Sequence, residues 1–101
     1  MGETPEQTSG SDKLIMQLYV SGMSSRSMEA IENIKSLCNN RIPGKFELEI
    51  IDLYKNPEAA TEHQIIFSPS LIKLQPPPKR ILIGTFTDTE KVMTLLGILK
   101  S

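Results

Sequence analysis

The side chains best suited to catalysis in this sequence are its single cysteine, Cys38, and its single histidine, His63. A reactive thiol needs a lowered pKa, which a position at the amino end of a helix helps to provide. Cys38 instead falls near the carboxyl end of a predicted helix, where the dipole favours the protonated thiol. His63 has no partner at the spacing of a metal site. We therefore interpret Cys38 as a small buried apolar residue and His63 as an exposed helix residue, and we predict neither a metal nor a cofactor.

The composition of the chain argues against several other classes of function. Its 101 residues carry 11 lysines and arginines against 12 aspartates and glutamates, for a net charge of −1. This length corresponds to one domain, and the balanced charge gives no electrostatic drive toward nucleic acid. The apolar runs are too short for a membrane span, the first residues lack the apolar region of a secretory signal, and a lone cysteine suits the reducing cytoplasm. We predict a disordered polar tail over residues 1–12 and one folded domain over residues 13–101.

Hydrophobic periodicity predicts alternating strands and helices. Apolar alternation predicts four strands, at residues 14–20, 46–51, 70–74 and 80–84, and helical spacing predicts helices at residues 26–39, 57–64 and from residue 87 onward. Because the first helix joins two strands, these should be parallel neighbours, whereas the short proline-rich connection predicts an antiparallel hairpin. This βαβαββα order, with Pro69 directly before the third strand, is the thioredoxin-like α/β arrangement. The catalytic Cys-x-x-Cys of thioredoxin is missing, because residues 22–27 contain no cysteine.

Local signals predict the helix ends and the buried helix faces. Ser24 or Ser25 can cap the first helix, Asn56-Pro57-Glu58 suits the start of the second, and Thr87-x-x-Glu90 has the form of a capping box for the third. The predicted apolar stripes comprise Met28, Ala30, Ile31, Ile34, Leu37 and Cys38 in the first helix, and Val92, Leu95, Leu96 and Leu99 in the last.

Several stretches give the sequence a resemblance to a known family. They are Leu18-Tyr19-Val20-Ser21-Gly22, Ile51-Asp52-Leu53-Tyr54-Lys55-Asn56-Pro57, Ser68-Pro69-Ser70-Leu71, Pro76-Pro77-Pro78-Lys79-Arg80, Ile83-Gly84 and Glu90-Lys91-Val92. Together they resemble the KaiB family of circadian-clock proteins, from about Leu14 to Leu99. The KaiB-like sensor domain of the histidine kinase SasA is also similar, especially around Phe46-Glu47-Leu48.

The resemblance implies a binding protein, not an enzyme. KaiB-family proteins bind the ATPase KaiC, compete with SasA for it and, in cyanobacteria, help to sequester KaiA. The family is metamorphic: a KaiB ground-state fold assembles into tetramers, and the thioredoxin-like fold binds KaiC. Two such packings must differ by only a few kcal/mol.

The resemblance also implies roles for individual residues. The partner-binding residues that it implies are Lys55, Asn56, Pro57, Gln64, Lys73 and Arg80; those implied for fold switching or local structure are Pro69, Pro76, Pro77, Pro78, Thr87, Glu90, Leu95 and Gly97. Each has a plainer interpretation: Lys55-Asn56-Pro57 is also a helix start, Pro69 a conformational lock, the triple proline a stiff turn, and the basic group Lys73, Lys79 and Arg80 a solvated surface.

The last third of the sequence favours the thioredoxin-like monomer over the tetramer. The Thr87–Glu90 box stabilises only a helix, and Leu95 stands where related sequences commonly carry glycine, a difference of about 0.5–1 kcal/mol in a helix interior. Gly97 opposes this bias near the end of the helix. Tyrosines that support the tetramer in relatives are matched by Leu14 and Lys100, and the sequence ends at Ser101 without the acidic tail of many relatives.

Other positions leave the choice of partner open. Glu29 and Gln64 stand where many cyanobacterial relatives carry basic residues, and a reversed charge can weaken binding by several kcal/mol if the partner is acidic there. Alternatives are therefore a SasA-like sensor or adaptor module, and a divergent KaiB paralogue in a stress response without KaiA binding. A thiol or peroxide enzyme is a third, remote alternative that depends on Cys38.

Overall fold

A computed structural model describes residues 13–62 and 69–98 of the chain. Seven elements follow one another: β1 (Leu14–Val20), α1 (Ser25–Arg41), β2 (Phe46–Asp52), α2 (Pro57–Glu62), β3 (Ser70–Gln75), β4 (Arg80–Ile83) and α3 (Thr89–Leu96). This confirms the predicted order. The predicted tail, His63, Gln64, the Ser68–Pro69 peptide bond, Leu99 and Lys100 lie outside the described residues.

The strands form one mixed sheet in the order β2-β1-β3-β4. β1 is parallel to β2, and β3 pairs antiparallel with β4, as predicted from the two kinds of connection. The structure adds that β1 also pairs antiparallel with β3. The connection between β3 and β4 is exposed and contains the cis bonds Gln75–Pro76 and Pro77–Pro78. β1 is a central strand of the sheet and has apolar residues on both faces, which its sequence predicts.

The two faces of the sheet bury separate clusters. The larger cluster lies under α1 and α3 and contains Met16, Leu18, Ala30, Ile34, Cys38, Leu71, Leu82, Val92, Met93 and Leu96, among others. The smaller lies under α2 and contains Tyr19, Ala59 and Ile72. Pro69, directly before β3, is fully buried. Each helix therefore covers apolar surface that a strand alone would expose to water.

The buried stripe of α1 differs from its prediction by one residue at the amino end. Met28 is 41% exposed, whereas Ser27 is buried. The Ser27 hydroxyl accepts a hydrogen bond from the Ser21 N–H at 3.2 Å and lies 3.0 Å from the Ser24 hydroxyl. These bonds satisfy a buried polar group, which is why a serine can occupy this position. Ser24 is the N-cap, as predicted, with its hydroxyl accepting from the Ser27 N–H.

The prediction that Thr87 caps α3 is wrong. The N-cap is Asp88, not Thr87, and its Oδ1 accepts from the Lys91 N–H at 3.2 Å. A carboxylate at this position also interacts favourably with the helix dipole. The loop before it is held by Asn33 of α1, whose amide donates to the Thr85 carbonyl at 2.7 Å. It leads into the buried Phe86, which adopts a positive φ of 64°.

The prediction that Gly97 destabilises the last helix is wrong. Gly97 does not lie within the helix: it terminates it, with a left-handed φ of 79°. The following N–H of Ile98 donates to the Met93 carbonyl at 2.9 Å, and the Ile98 side chain is buried. Glycine adopts this conformation without steric penalty, so it favours the observed helix end. Leu95 lies within the helix as predicted and packs against the larger cluster.

We predict that Asp88→Ala lowers the free energy of unfolding by about 1 kcal/mol, because the cap of α3 is lost. The matched variant Thr87→Ala should change it by only a few tenths of a kcal/mol. Urea unfolding followed by circular dichroism measures both. An equal loss in the two variants, or a larger one for Thr87→Ala, would contradict the cap assignment.

Candidate partner-binding surface

The loops at the carboxyl ends of β1 and β2 meet around one carboxylate. Oδ1 of Asp52 accepts from the Gly22 N–H at 3.0 Å and from the Tyr54 N–H at 2.9 Å. The Asp52 carbonyl accepts from the backbone N–H groups of Lys55 and Asn56 at 3.1 and 2.9 Å. One residue at the end of β2 thereby fixes both the loop before α1 and the turn before α2.

Gly22 and Tyr54 form the close contact of this surface. Gly22 has a φ of +67°, and a Cβ added to it would lie 2.9 Å from Cδ2 of Tyr54. The backbone conformation therefore favours glycine, and a larger residue would also have to displace the ring beside it. The ring nevertheless remains 76% exposed, and Met23 in the neighbouring loop is 75% exposed. An exposed aromatic beside an exposed methionine is typical of protein-binding surfaces.

Lys55, Asn56 and Pro57 lie beside Tyr54 and are exposed. Pro57 is the first residue of α2, as the sequence predicts. The contact of the Asn56 side chain is not the predicted cap: its amide donates to the Asp52 carbonyl at 3.4 Å, and the Ala59 N–H donates to the Asn56 backbone carbonyl. The three residues thus continue the surface that Met23 and Tyr54 begin. We refer to Met23 and residues 54–57 as the loop surface.

The structure separates the other predicted partner-binding residues from the loop surface. Because β3 runs antiparallel to β1, Lys73 and Arg80 lie toward the opposite end of the sheet, near the triple proline. Gln64 lies outside the described residues. The five predicted residues that the structure describes therefore fall into two separate groups.

The interpretation of Lys73 as part of a solvated basic group is wrong. It is only 4% exposed, next to Met16 on β1 and Arg80 on β4. Within the described part of the chain, no hydrogen bond or ion pair joins the side-chain ammonium group of Lys73 to another residue. Burial, and secondly the positive charge of Arg80, lower the pKa of Lys73. Lys73 therefore cannot act as a surface contact in this fold.

The α2 side of the sheet is acidic. A groove of about 240 Å³ between β2 and α2 is lined by Glu49, Glu58 and Glu62, together with Ile51, Asn56 and Ala59. Tyr19 lies buried in the same half of the molecule and donates its hydroxyl to Oε1 of Gln17 at 2.8 Å. Burial raises the pKa of Tyr19, and the charges of Glu49 and Glu62 add to this effect. A partner that contacts the loop surface from this side meets negative charge.

The buried position predicted for Cys38 is confirmed. Its side chain is fully buried, and burial raises its thiol pKa to about 11. The thiol is therefore protonated at neutral pH, whereas the nucleophile in thiol chemistry is the thiolate. In residues 13–62 and 69–98, no cluster of three or more histidine, cysteine, aspartate or glutamate side chains is placed to hold a metal ion. No helix in these ranges is long and apolar enough to cross a membrane.

Comparison with known sequences identifies relatives over most of the chain. A sequence model of the KaiB domain matches residues 17–98. The circadian clock protein KaiB3 of Synechocystis sp. is 39% identical over 87 residues, covering 86% of this chain and 85% of that protein. The circadian clock oscillator protein KaiB of Prochlorococcus marinus subsp. pastoris is 40% identical over 85 residues, covering 84% and 79%.

Comparison with solved structures confirms the predicted thioredoxin-like fold. The N-terminal domain of SasA from Synechococcus elongatus has a TM-score of 0.70 at 19% identity, covering 89% of both chains. Chloroplastic thioredoxin z has a TM-score of 0.71 at 16% identity, covering 95% of this chain and 87% of its own. At these identities the structures show the shared fold alone.

We predict that Gly22→Ala destabilises the protein by about 1–2 kcal/mol, because alanine is strained at this φ and its Cβ meets the Tyr54 ring. Thermal unfolding measures the loss. The double variant Gly22→Ala/Tyr54→Ala removes the steric contact and leaves only the backbone strain, so it should recover part of the stability. No recovery would contradict the contact between Gly22 and Tyr54.

We predict that Lys73→Met raises the free energy of unfolding at neutral pH by about 1–2 kcal/mol, since it removes a buried charge without an ionic partner. The lowered pKa means that the unfolded chain binds the Lys73 proton more tightly than the folded chain. The wild type should therefore gain stability as the pH rises from the folded-state pKa to the ordinary lysine value. Over that window the advantage of Lys73→Met should shrink.

Unfolding curves at several pH values measure this trend, with the exposed Lys79→Met as the control. A lower stability of Lys73→Met at neutral pH would contradict the burial of an unpaired ammonium group.

Proposed function

The chain belongs to the KaiB family, and on that premise we propose that it is a clock regulator that binds a KaiC-type ATPase in its thioredoxin-like state. Its relatives carry the names of circadian clock proteins. The observation that carries the proposal is the loop surface, where Met23, Tyr54 and Lys55 are exposed around the fixed carboxylate of Asp52. This surface offers apolar contact and a positive charge without a catalytic group, which suits protein binding.

Competition with SasA is part of the proposal. Two proteins that share a fold can present equivalent surfaces to one partner and then exclude each other from it. The N-terminal domain of SasA shares this fold. SasA is thus the expected competitor for KaiC.

We also propose that the chain is metamorphic and that the described state is its monomeric form. The Asp88 cap and the Gly97 terminator both stabilise α3, and neither would support a strand over the same residues. The alternative KaiB ground-state fold, with its tetramer, should therefore be the minor species. Ten-to-one populations require a difference of only about 1.4 kcal/mol.

Sequestration of KaiA is the less supported part of the proposal. Glu29 is exposed on α1, so its negative charge faces any partner that approaches this helix. A divergent KaiB paralogue in a stress response without KaiA binding, or a SasA-like adaptor module, is the second candidate function. Retained KaiC binding together with absent KaiA binding distinguishes the paralogue from the oscillator component.

The test is binding of the full chain to a KaiC hexamer during ATP hydrolysis, measured by fluorescence anisotropy and co-elution. We expect Tyr54→Ala and Lys55→Glu each to weaken binding by about tenfold or more, as for central interface residues. Lys45→Glu is the matched control, since Lys45 is an exposed lysine at the opposite end of the sheet. Unlabelled SasA N-terminal domain should displace the wild-type chain.

Two results would contradict the proposal. One is a failure of the wild-type chain to co-elute with KaiC at protein concentrations on the order of tens of micromolar, well above a micromolar Kd. The other is an equal effect of Lys55→Glu and Lys45→Glu, which would remove the loop surface from the interface.

A further inference from the structure

β4 is an open edge of the sheet and carries two exposed isoleucines. It is the last strand in the order β2-β1-β3-β4, so one side of it pairs with no strand of the described chain. Ile81 is 53% exposed and Ile83 is 58% exposed, whereas Leu82 between them is buried. Natural edge strands usually carry charge or bulges that discourage pairing. Two exposed isoleucines on the same face of an open edge strand are therefore unusual.

The backbone at these isoleucines points toward the open side. The Gly84 N–H donates to the Pro69 carbonyl at 3.1 Å, just beyond the paired residues Ser70 and Ile83. In an antiparallel ladder, hydrogen-bonded and non-hydrogen-bonded pairs alternate. Residues 84, 82 and 80 are then bonded to β3, and the N–H and C=O groups of Ile81 and Ile83 point away from it. Ile81 and Ile83 therefore offer two backbone N–H groups and two carbonyl groups to an added strand.

The two faces of this edge differ in chemistry. Ile81 pairs with Ile72 of the cluster under α2, so Ile81 and Ile83 project on the α2 face. Arg80 shares the opposite face with Leu82. On that face a groove of about 370 Å³ runs between β4 and α3, and its lining includes Lys91 and Leu95. An added strand would therefore place alternate side chains against isoleucine and against a basic surface.

The basic surface has little compensating acid. Lys91 lines the groove, and Lys79 and Arg80 are exposed at the hairpin end of β4. Asp88 is the acidic residue in the described lining, and its carboxylate is used as the α3 cap. The positive charge of Arg80 also acts on the buried Lys73 beside it. An incoming carboxylate near Arg80 would reduce this repulsion.

We propose that the open edge of β4 binds an extended segment of a partner protein by strand addition, with apolar side chains on Ile81 and Ile83 and acidic side chains toward Arg80 and Lys91. In this mode, main-chain hydrogen bonds supply affinity and the alternate side chains supply specificity. This site lies on β4, at the opposite edge of the sheet from β2 and the loop surface. Substitutions on β4 can therefore be tested separately from substitutions on the loop surface.

A second copy of the chain fits this edge less well. Its other open edge is β2. A copy with the same face up would place Glu47 and Glu49 beside Ile81 and Ile83, whereas a copy turned over would place these glutamates toward Arg80. These glutamates already contact Lys13 and Gln17 within their own chain. Pairing β4 with β4 would join strands of only four residues. The area buried by such a pair would be far below the roughly 1,200 Å² or more of a stable interface.

The test uses a fluorescein-labelled, end-capped octapeptide that alternates valine and glutamate, titrated with the full chain and followed by anisotropy. We expect saturable binding that Ile81→Glu weakens by about tenfold or more and Lys91→Glu by several-fold. Ile50→Glu and Lys45→Glu are the matched controls, because Ile50 is an exposed isoleucine on the other edge strand. Both should bind the peptide as the wild type does.

Two further peptides test the mode of binding and do not depend on the folding of a variant. A peptide with N-methyl groups on every second amide cannot complete the strand ladder and should lose binding, and a valine–lysine peptide should not bind. Equal binding of the valine–glutamate and valine–lysine peptides, unchanged binding after N-methylation, or unchanged binding to a folded Ile81→Glu variant would overturn the proposal. Absent peptide binding with self-association that Ile81→Glu abolishes would instead identify a second copy as the occupant and would also overturn it.

Discussion

The packing of α3 against the sheet is the interaction on which the rest of this structure depends. Eight residues are too few for a stable helix in water, so its stability comes from burial of Val92, Met93 and Leu96. Complete burial of each such side chain contributes about 1.5–3 kcal/mol. The helix packs in the larger cluster, which also contains Leu71 and Leu82, and forms one wall of the β4 groove. Its position therefore determines both the fold and the surfaces that the fold presents.

Interactions outside α3 hold it in register. Asn33 fixes the loop before the helix from α1, and Gly97 releases the chain after it. If the last third of the chain changed its secondary structure, these contacts would be lost together with the α3 packing. A small difference in side-chain burial can thus select between two folds of one sequence, which is the physical basis of metamorphic behaviour.

The functional surfaces arise from strand ends and edges that the core holds in place. Asp52 ends a strand, and its carboxylate organises the loop surface through two backbone N–H groups. Lys55 and Arg80 lie far apart, because β3 and β4 place Arg80 at the opposite end of the sheet. Their proposed roles also differ. Proposed KaiC binding and proposed strand addition therefore use different parts of the molecule and can be separated by substitution.

Much of the fold follows from sequence periodicity, because alternation and helical spacing directly reflect which faces are buried. The parallel pairing of β1 with β2, the hairpin of β3 with β4 and the burial of Cys38 could be predicted from the sequence. The Asp88 cap could not, since adjacent Thr87 and Asp88 are both good capping residues and only the entry geometry of the loop selects between them. The burial of Lys73 also escaped prediction, because it depends on which residues of β1 and β4 lie beside it. Tyr54 could have been identified as a surface candidate from the sequence, because it is an aromatic residue directly before Lys55-Asn56-Pro57 in a chain with few aromatics.

The central claim is that residues 89–96 form a helix in the dominant state of the chain. Backbone ¹³C chemical shifts of the full-length protein in solution test this claim most directly. We expect one major set of resonances with helical Cα and Cβ shifts across these residues. A majority species with strand-type shifts there would contradict it.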